Sequence, residues 1–177
     1  MQKNLLVITA VGEDQPGIVN EICKQIADAG CNIEDSRMSV LGGDFALMLL
    51  VNGKWNELAK LETAVPTAGR RLGLLVNVKR TSGSRRSGDL LPYSVEVVAL
   101  DHPGIVYQLA NFFSSREINI RDLATSGYKA AHTGTPMFSV QMTVDVPAGM
   151  QIARLREEFM DFCDQLNLDA IIEPVKG

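Results

Sequence analysis

Asp14-Gln15-Pro16-Gly17-Ile18-Val19 and Asp101-His102-Pro103-Gly104-Ile105-Val106 stand 87 residues apart and differ at one position, Gln15 against His102. At the same spacing Asn32-Ile33 meets Asn119-Ile120, Asp35 meets Asp122, and Ser39 meets Ser126. A match carried over that length marks an internal repeat, and the fold has to be read one repeat at a time.

An apolar segment precedes each hexapeptide, Leu5 to Val11 in the first half and Tyr93 to Leu100 in the second. A helix signal follows each. Ile18, Val19, Ile22, Cys23 and Ile26 fall on one face of a 3.6-residue helix, and Ile105, Val106, Leu109, Ala110 and Phe113 repeat the spacing. Gly30 sits where a helix would close in a left-handed conformation, and Glu117 takes that place in the second half. The first half then reads as strands over Asn32–Leu41 and Asp44–Asn52 joined by a tight Gly42-Gly43 turn, a helix over Trp55–Gly69 and a strand over Leu72–Arg80. Leu72, Leu74, Val76 and Val78 alternate as in an edge strand with one buried face. Leu5 to Ile8 and Phe45 to Val51 are apolar at successive positions, as strands in the middle of a sheet can be. The expected class is α+β: two ferredoxin-like βαββαβ modules, each an antiparallel sheet with two helices on one face and its first and third strands central.

Residues 1–80 make the first module and 91–177 the second, with 81–90 as a linker rich in small and polar residues. Arg85-Arg86 within it reads either as a contact for an acidic partner or as a solvated hinge. The second module departs from the first at 128–136, where a longer hairpin containing His132 joins its middle strands.

The Asp-x-Pro-Gly turn carries the chemistry. Pro16 presets φ for a first helical turn, Gly17 lets a ligand approach the main chain, and the amides of Gly17, Ile18 and Val19 would face an anion with the helix dipole behind them. Gly104, Ile105 and Val106 repeat this arrangement. Asp14 and Asp101 either cap their helices or receive an ammonium group. Asn32 and Asn119, each a donor and an acceptor, are expected at the same end of the sheet. Carboxylate, ammonium and amide recognition together suit a small α-amino acid. The competing reading is that the turns only cap helices and the protein is a scaffold without a ligand.

Bulk properties narrow the classes. The chain has 177 residues, 46% apolar and 21% charged, which suits a folded globular protein. Its longest apolar run, Phe45 to Val51, is far short of the roughly 18–20 residues of a membrane span, and no secretory signal opens the sequence, so no membrane association and a cytoplasmic location are expected. Cys23, Cys31 and Cys163 lack zinc or redox spacing and read as reduced packing residues. The net charge of −4 opposes direct nucleic-acid binding. With two isolated histidines, no metal-ligand spacing and no glycine-rich phosphate loop, neither catalysis nor a metal or cofactor is expected.

The repeated Asp-x-Pro-Gly-Ile turn with its later Asn-Ile resembles the ACT domain, a ligand-responsive regulatory module of amino-acid metabolism, and the resemblance covers nearly the whole chain twice. Two tandem copies without an attached enzyme, the opening Leu5-Leu6-Val7-Ile8-Thr9-Ala10 and the His-Pro-Gly-Ile-Val form at 102–106 are most similar to the glycine cleavage system transcriptional repressors. That resemblance implies a non-enzymatic accessory protein that restrains a DNA-binding activator, with glycine or a similar small amino acid relieving the restraint. It also implies ligand binding near the turns, at Asp14–Val19, Asn32, Asp101–Val106 and Asn119, without requiring the two sites to be equivalent. Unpaired sheet edges suggest that the modules pack on one another and that a homodimer forms.

Overall fold

The computed structural model describes residues 4–83 and 89–175. Each half runs strand, helix, strand, strand, helix, strand. The first comprises β1 (Leu5–Glu13), α1 (Ile18–Asp28), β2 (Asn32–Leu41), β3 (Asp44–Asn52), α2 (Trp55–Arg71) and β4 (Leu75–Thr81). The second comprises β5 (Leu90–Leu100), α3 (Ile105–Ser114), β6 (Asn119–Lys129), β7 (Pro136–Pro147), α4 (Ile152–Gln165) and β8 (Asp169–Pro174). The sheets are β2-β3-β1-β4 and β6-β7-β5-β8, with every neighbouring pair antiparallel. The first and third strands of each half are thus central, and the fold is two ferredoxin-like α+β modules.

The chain divides into compact units at Arg85/Arg86. Of the linker expected over 81–90, Thr81 closes β4 and Leu90 opens β5, while residues 84–88, with Arg85-Arg86, lie outside the described residues.

Each module has its own core. Leu6, Ile8 and Ala10 of β1 and Phe45, Leu47, Leu49 and Val51 of β3 face Ile18, Ile22 and Ile26 of α1 and Leu58, Leu61 and Val65 of α2. Burying each large aliphatic side chain contributes about 1.5–3 kcal/mol. The second core is built on rings: Phe112 lies 5.3 Å from Phe113 and 5.2 Å from Phe159 between centroids, within the range where edge-to-face aromatic pairs attract.

Several expectations need correction. The apolar strands are central as expected, but on their face turned from the helices burial is uneven: Leu5 is buried while Val11 and Met48 are exposed. On α1, Val19 is exposed and Cys23 half-buried, so the buried stripe is narrower than the five-residue set. Helix α2 continues past Gly69 to Arg71 and Leu72 caps it, so β4 begins at Leu75. Pro16 and Pro103 lie one residue before their helix caps instead of in the first helical turn.

Gly30 takes φ +80° beyond α1, and Glu117 takes φ +57° at the matching place beyond α3. Each second strand also carries a bulge, at Glu34 and at Arg121. From these positions Glu34 accepts a 2.7 Å hydrogen bond from Asn52 Nδ2 and Arg121 pairs with buried Asp145. The same bridge is made in both modules with different charges.

Two predictions follow from the packing. A Cβ at Gly69 would overlap the Val76 side chain where α2 lies on β4, so Gly69→Ala should lower the melting temperature of the first module despite its better helix propensity. The fluorescence of Trp55, the sole tryptophan, reads that module, and adding Val76→Ala should recover part of the loss. Cys163 is a free thiol buried in the second core, and burial pushes its pKa up to about 12. Thiolate is therefore scarce at pH 8, and Cys163 should resist alkylation until denaturant is added, with half-buried Cys23 labelled first.

Candidate functional site

The turn after the first strand of each module is set by one backbone torsion. Gly17 and Gly104 are the helix N-caps, and both take φ +96°, a left-handed conformation that L side chains rarely adopt. Neither helix is capped by a side chain, so the aspartates do not serve that role. The first intrahelical bonds run from Glu21 N–H to Gly17 C=O (2.9 Å) and from Gln108 N–H to Gly104 C=O (3.0 Å). By helix geometry the amides before Glu21 and Gln108 have no partner within the helix. Ile18 and Ile105, however, are each only 2% exposed, so their main chain is covered as well. Leaving Ile18 and Ile105 aside, the amides without a helical partner belong to residues that are not buried: Gly17, Val19 and Asn20, and Gly104, half-buried Val106 and Tyr107.

A hydrogen bond ties each turn to the neighbouring hairpin. Asp14 N–H donates to Gly43 C=O at 3.0 Å, and Asp101 N–H donates to Pro136 C=O at 3.1 Å. Asp14 and Asp101 are thereby held just past the C-terminal end of the central strand, exposed and three residues before the left-handed glycine.

Asn32 and Asn119 lie elsewhere. Asn32 pairs with Asn52, which also pairs with Leu5 at the start of β1, whereas Glu13, next to the turn, pairs with Asp44. Strand rise places Asn32 about 25 Å from the turn of its own module, at the opposite end of the sheet. Asn119 is displaced in the same way and lines a different concavity with Ser114 and Glu117. A strand that follows a crossover helix runs parallel to the strand before it, so its first residue returns to the starting end. The expectation that these asparagines share an end with the turns is therefore wrong.

The two turns differ beyond this common frame. Gln15 Nε2 donates to Leu72 C=O at 2.8 Å, fastening the first turn to the end of α2. Among the described residues the hydrogen-bond partner of His102 is the adjacent Pro103 carbonyl, 3.1 Å from Nδ1, and its ring stays exposed. Around it opens a concavity of about 540 Å³, lined by Asp101, His102, Gly104, Val106, Tyr107 and Phe138. Tyr107 and Phe138 were not singled out from the sequence. Phe138 enters through the β6–β7 hairpin, whose loop is Ala130–Thr135 where the first module has Gly42-Gly43. Register matches Phe138 to Phe45, the one signal that would have found it.

Among the described residues no group of histidine, cysteine and acidic side chains could hold a metal ion, and no helix is long and apolar enough to cross a membrane.

A model of the ACT domain matches residues 4–79. The glycine cleavage system transcriptional repressor of Escherichia coli (strain K12) is 34% identical over 173 residues, covering 98% of this chain and 91% of that protein. The chain belongs to the glycine cleavage repressor family of tandem ACT-domain proteins. A crystal structure provisionally assigned as a glycine cleavage system transcriptional repressor has 31% identity and a TM-score of 0.70, with 100% of both chains covered. A protein of unknown function from Galdieria sulphuraria superimposes at a TM-score of 0.81 with 26% identity, covering 98% of this chain and 99% of that one. Members of this repressor family are regulators, and the chain is a regulatory protein without enzymatic activity. Within its two ACT domains the same turn is present in two states: fastened by Gln15 in the first and open around His102 in the second.

At Gly17 and Gly104 an added Cβ meets no atom within 4 Å, so the cost of a side chain comes from φ alone. Gly17→Ala and Gly104→Ala should each destabilise their own module by about 1–2 kcal/mol, measured by thermal melting, without creating a packing defect.

Proposed function

We propose that the protein represses transcription of the glycine cleavage system by binding a DNA-binding activator in the cytoplasm, and that a small amino acid, glycine or one of similar size, relieves the restraint. The end-to-end similarity to the Escherichia coli repressor supports this reading above any other observation, because it spans both modules and not a single shared domain. The net charge of −4 favours action through a protein over direct phosphate contact. All described helices and strands are used by the two modules, which leaves no helix-turn-helix among the described residues.

The effector would sit at the second turn. Its carboxylate would take the Gly104 and Val106 amides at the positive end of α3, and its ammonium the Asp101 carboxylate. His102, Tyr107 and Phe138 would line the space around its side chain. The first turn, with Asp14, Gln15, Gly17, Ile18 and Val19, would serve to brace its module, since Gln15 is committed to Leu72. Asn32 and Asn119 take no part in the site of their own module.

Titration calorimetry with glycine, alanine and serine should give heat with at least one of them. Asp101→Ala should abolish that heat and Asp14→Ala should leave it. No heat with any amino acid would favour a ligand-free scaffold. Retention of glycine cleavage promoter DNA by the protein alone at physiological salt would overturn the activator mechanism.

A further inference from the structure

The two modules divide the chain's charge unequally. Residues 4–83 hold nine acidic side chains against eight lysines and arginines, whereas residues 89–175 hold twelve against five. The uncompensated acids of the second module draw a cationic partner to it more strongly than to the first. Four acids, Glu157, Glu158, Asp161 and Asp164, stand on α4.

Where α4 lies beside α3 the second module opens into a cleft of about 350 Å³. Phe112 and half-buried Phe162 line it, with ring centroids 4.9 Å apart. Arg116 and Glu158 pair at one end, 3.1 Å apart, and Asn111 and Gln165 stand toward the other. The Arg116 guanidinium lies 3.8 Å from the Phe112 centroid, so the cleft already stacks one guanidinium on one of its rings. The side chains of Asn111, Asp161 and Gln165 take no hydrogen bond or ion pair among the described residues.

The first module is built otherwise at this place. The bonds that follow each helix fix the correspondence: Cys31 N–H to Ile26 C=O matches Ile118 N–H to Phe113 C=O, and Leu74 N–H to Gly69 C=O matches Leu168 N–H to Cys163 C=O. Gln25 then stands for Phe112, Ala68 for Phe162, Thr67 for Asp161, Lys24 for Asn111 and Arg71 for Gln165. Gln25 Nε2 and Arg71 Nη2 both donate to Glu21 Oε1, at 2.9 and 3.5 Å, and Lys24 pairs with Asp28 at 2.6 Å. The module therefore folds with small and mutually bonded side chains here, and aromatic rings beside an uncommitted carboxylate are not a requirement of the fold.

We propose that this cleft receives an arginine of the protein partner, its guanidinium laid on Phe162 and hydrogen-bonded to the Asp161 carboxylate, with the Asn111 and Gln165 amide oxygens as further acceptors. The inference rests on the reading of the protein as a repressor that acts through another protein, and it assigns that encounter to α3 and α4 of the second module, on residues distinct from those of the effector turn. Arg116 is committed to Glu158 and Phe112, which leaves Asp161 without a cation among the described residues. Arginine suits the place better than lysine, because a planar guanidinium both stacks on a ring and meets a carboxylate through two parallel N–H groups.

The blocked tripeptide acetyl-Leu-Arg-Leu-amide, titrated into the full chain, should shift the NMR signals of the Asn111 and Gln165 side-chain amides and of the backbone around Phe162. The citrulline version, isosteric and uncharged, should shift none of them, and the lysine version should bind more weakly. Asp161→Asn and Phe162→Leu, the second keeping an apolar side chain without the ring, should each weaken the arginine peptide about two- to fivefold. Glu173→Gln, which removes an exposed acid from β8, should leave it unchanged. Binding of the purified DNA-binding activator should fall by a like factor with Asp161→Asn. Equal shifts with the citrulline peptide, shifts confined to other parts of the module, or activator binding indifferent to Asp161→Asn would each overturn the proposal. No activator binding by the unsubstituted chain would overturn the repressor mechanism itself, with the peptide titration still deciding whether the cleft takes arginine.

Discussion

Both helices of each module are confined to one face of its sheet, and the rest of the architecture depends on that constraint. A right-twisted strand feeding a helix returns to a parallel strand of the same sheet almost always by a right-handed crossover. Each module makes two such crossovers, β1 to β2 and β3 to β4 in the first and their counterparts in the second. Two crossovers of one hand, running in opposite directions along the sheet, bring their helices to the same side. One face then becomes core, and alternate residues of the central strands face away from any helix. What occupies that outer face is free to differ between copies, and position by position it does: Met48 and Asn77 of the first sheet stand where the second has Gln141 and Ile171.

The turn at Gly17 and Gly104 answers a local problem set by the same geometry. The chain leaves the end of a central strand and must reverse at once into a helix lying on the sheet. A left-handed residue at the cap makes that reversal within a few residues, and only glycine adopts it cheaply. Hydrogen bonds from Asp14 and Asp101 to the hairpin then fix the turn from its other side. The conformation that closes the fold also leaves main-chain donors at a helix start near an aspartate, so the residues that close the fold are also those of the proposed ligand site. Repetition of the motif by itself cannot separate the two roles.

Much of the fold was legible because it is written in local chemistry. The Gly42-Gly43 turn fixes the ends of β2 and β3, and the Asp-x-Pro-Gly turn fixes the start of each first helix. The end of α2 was not, since Gly69 reads as a stop signal. In the structure it is the place where the helix must lie close against Val76, which only the packed pair reveals. The site was legible in part. Asp14 and Asp101 adjoin the turns by sequence alone, whereas Asn32 and Asn119 lie at the other end of the sheet, and the strand directions needed to place them there follow from the predicted topology itself. Tyr107 on α3 and Phe138 on β7, in the register of Phe45, line the concavity at the second turn, and only the packed module shows that they meet there.

The departures between the copies say more about function than the repeat does. Glu34 with Asn52 and Arg121 with Asp145 make one bridge from the same bulge with different charges, so that interaction is preserved in form and the identity of its partners is free. The turns show the opposite behaviour. Their backbone is the same to within a few degrees of torsion, while the residue after the aspartate changes from one that reaches inward to Leu72 to one that hydrogen-bonds to its neighbour's carbonyl. A purely structural turn gains from the inward bond, and losing it in one copy leaves that turn less braced. The loss coincides with a longer hairpin, an exposed aromatic ring at Tyr107 and an open concavity at the same place. Three changes converging on one turn, with none of them improving the packing of the module, are accounted for together if the second turn receives something from outside the module and the first does not.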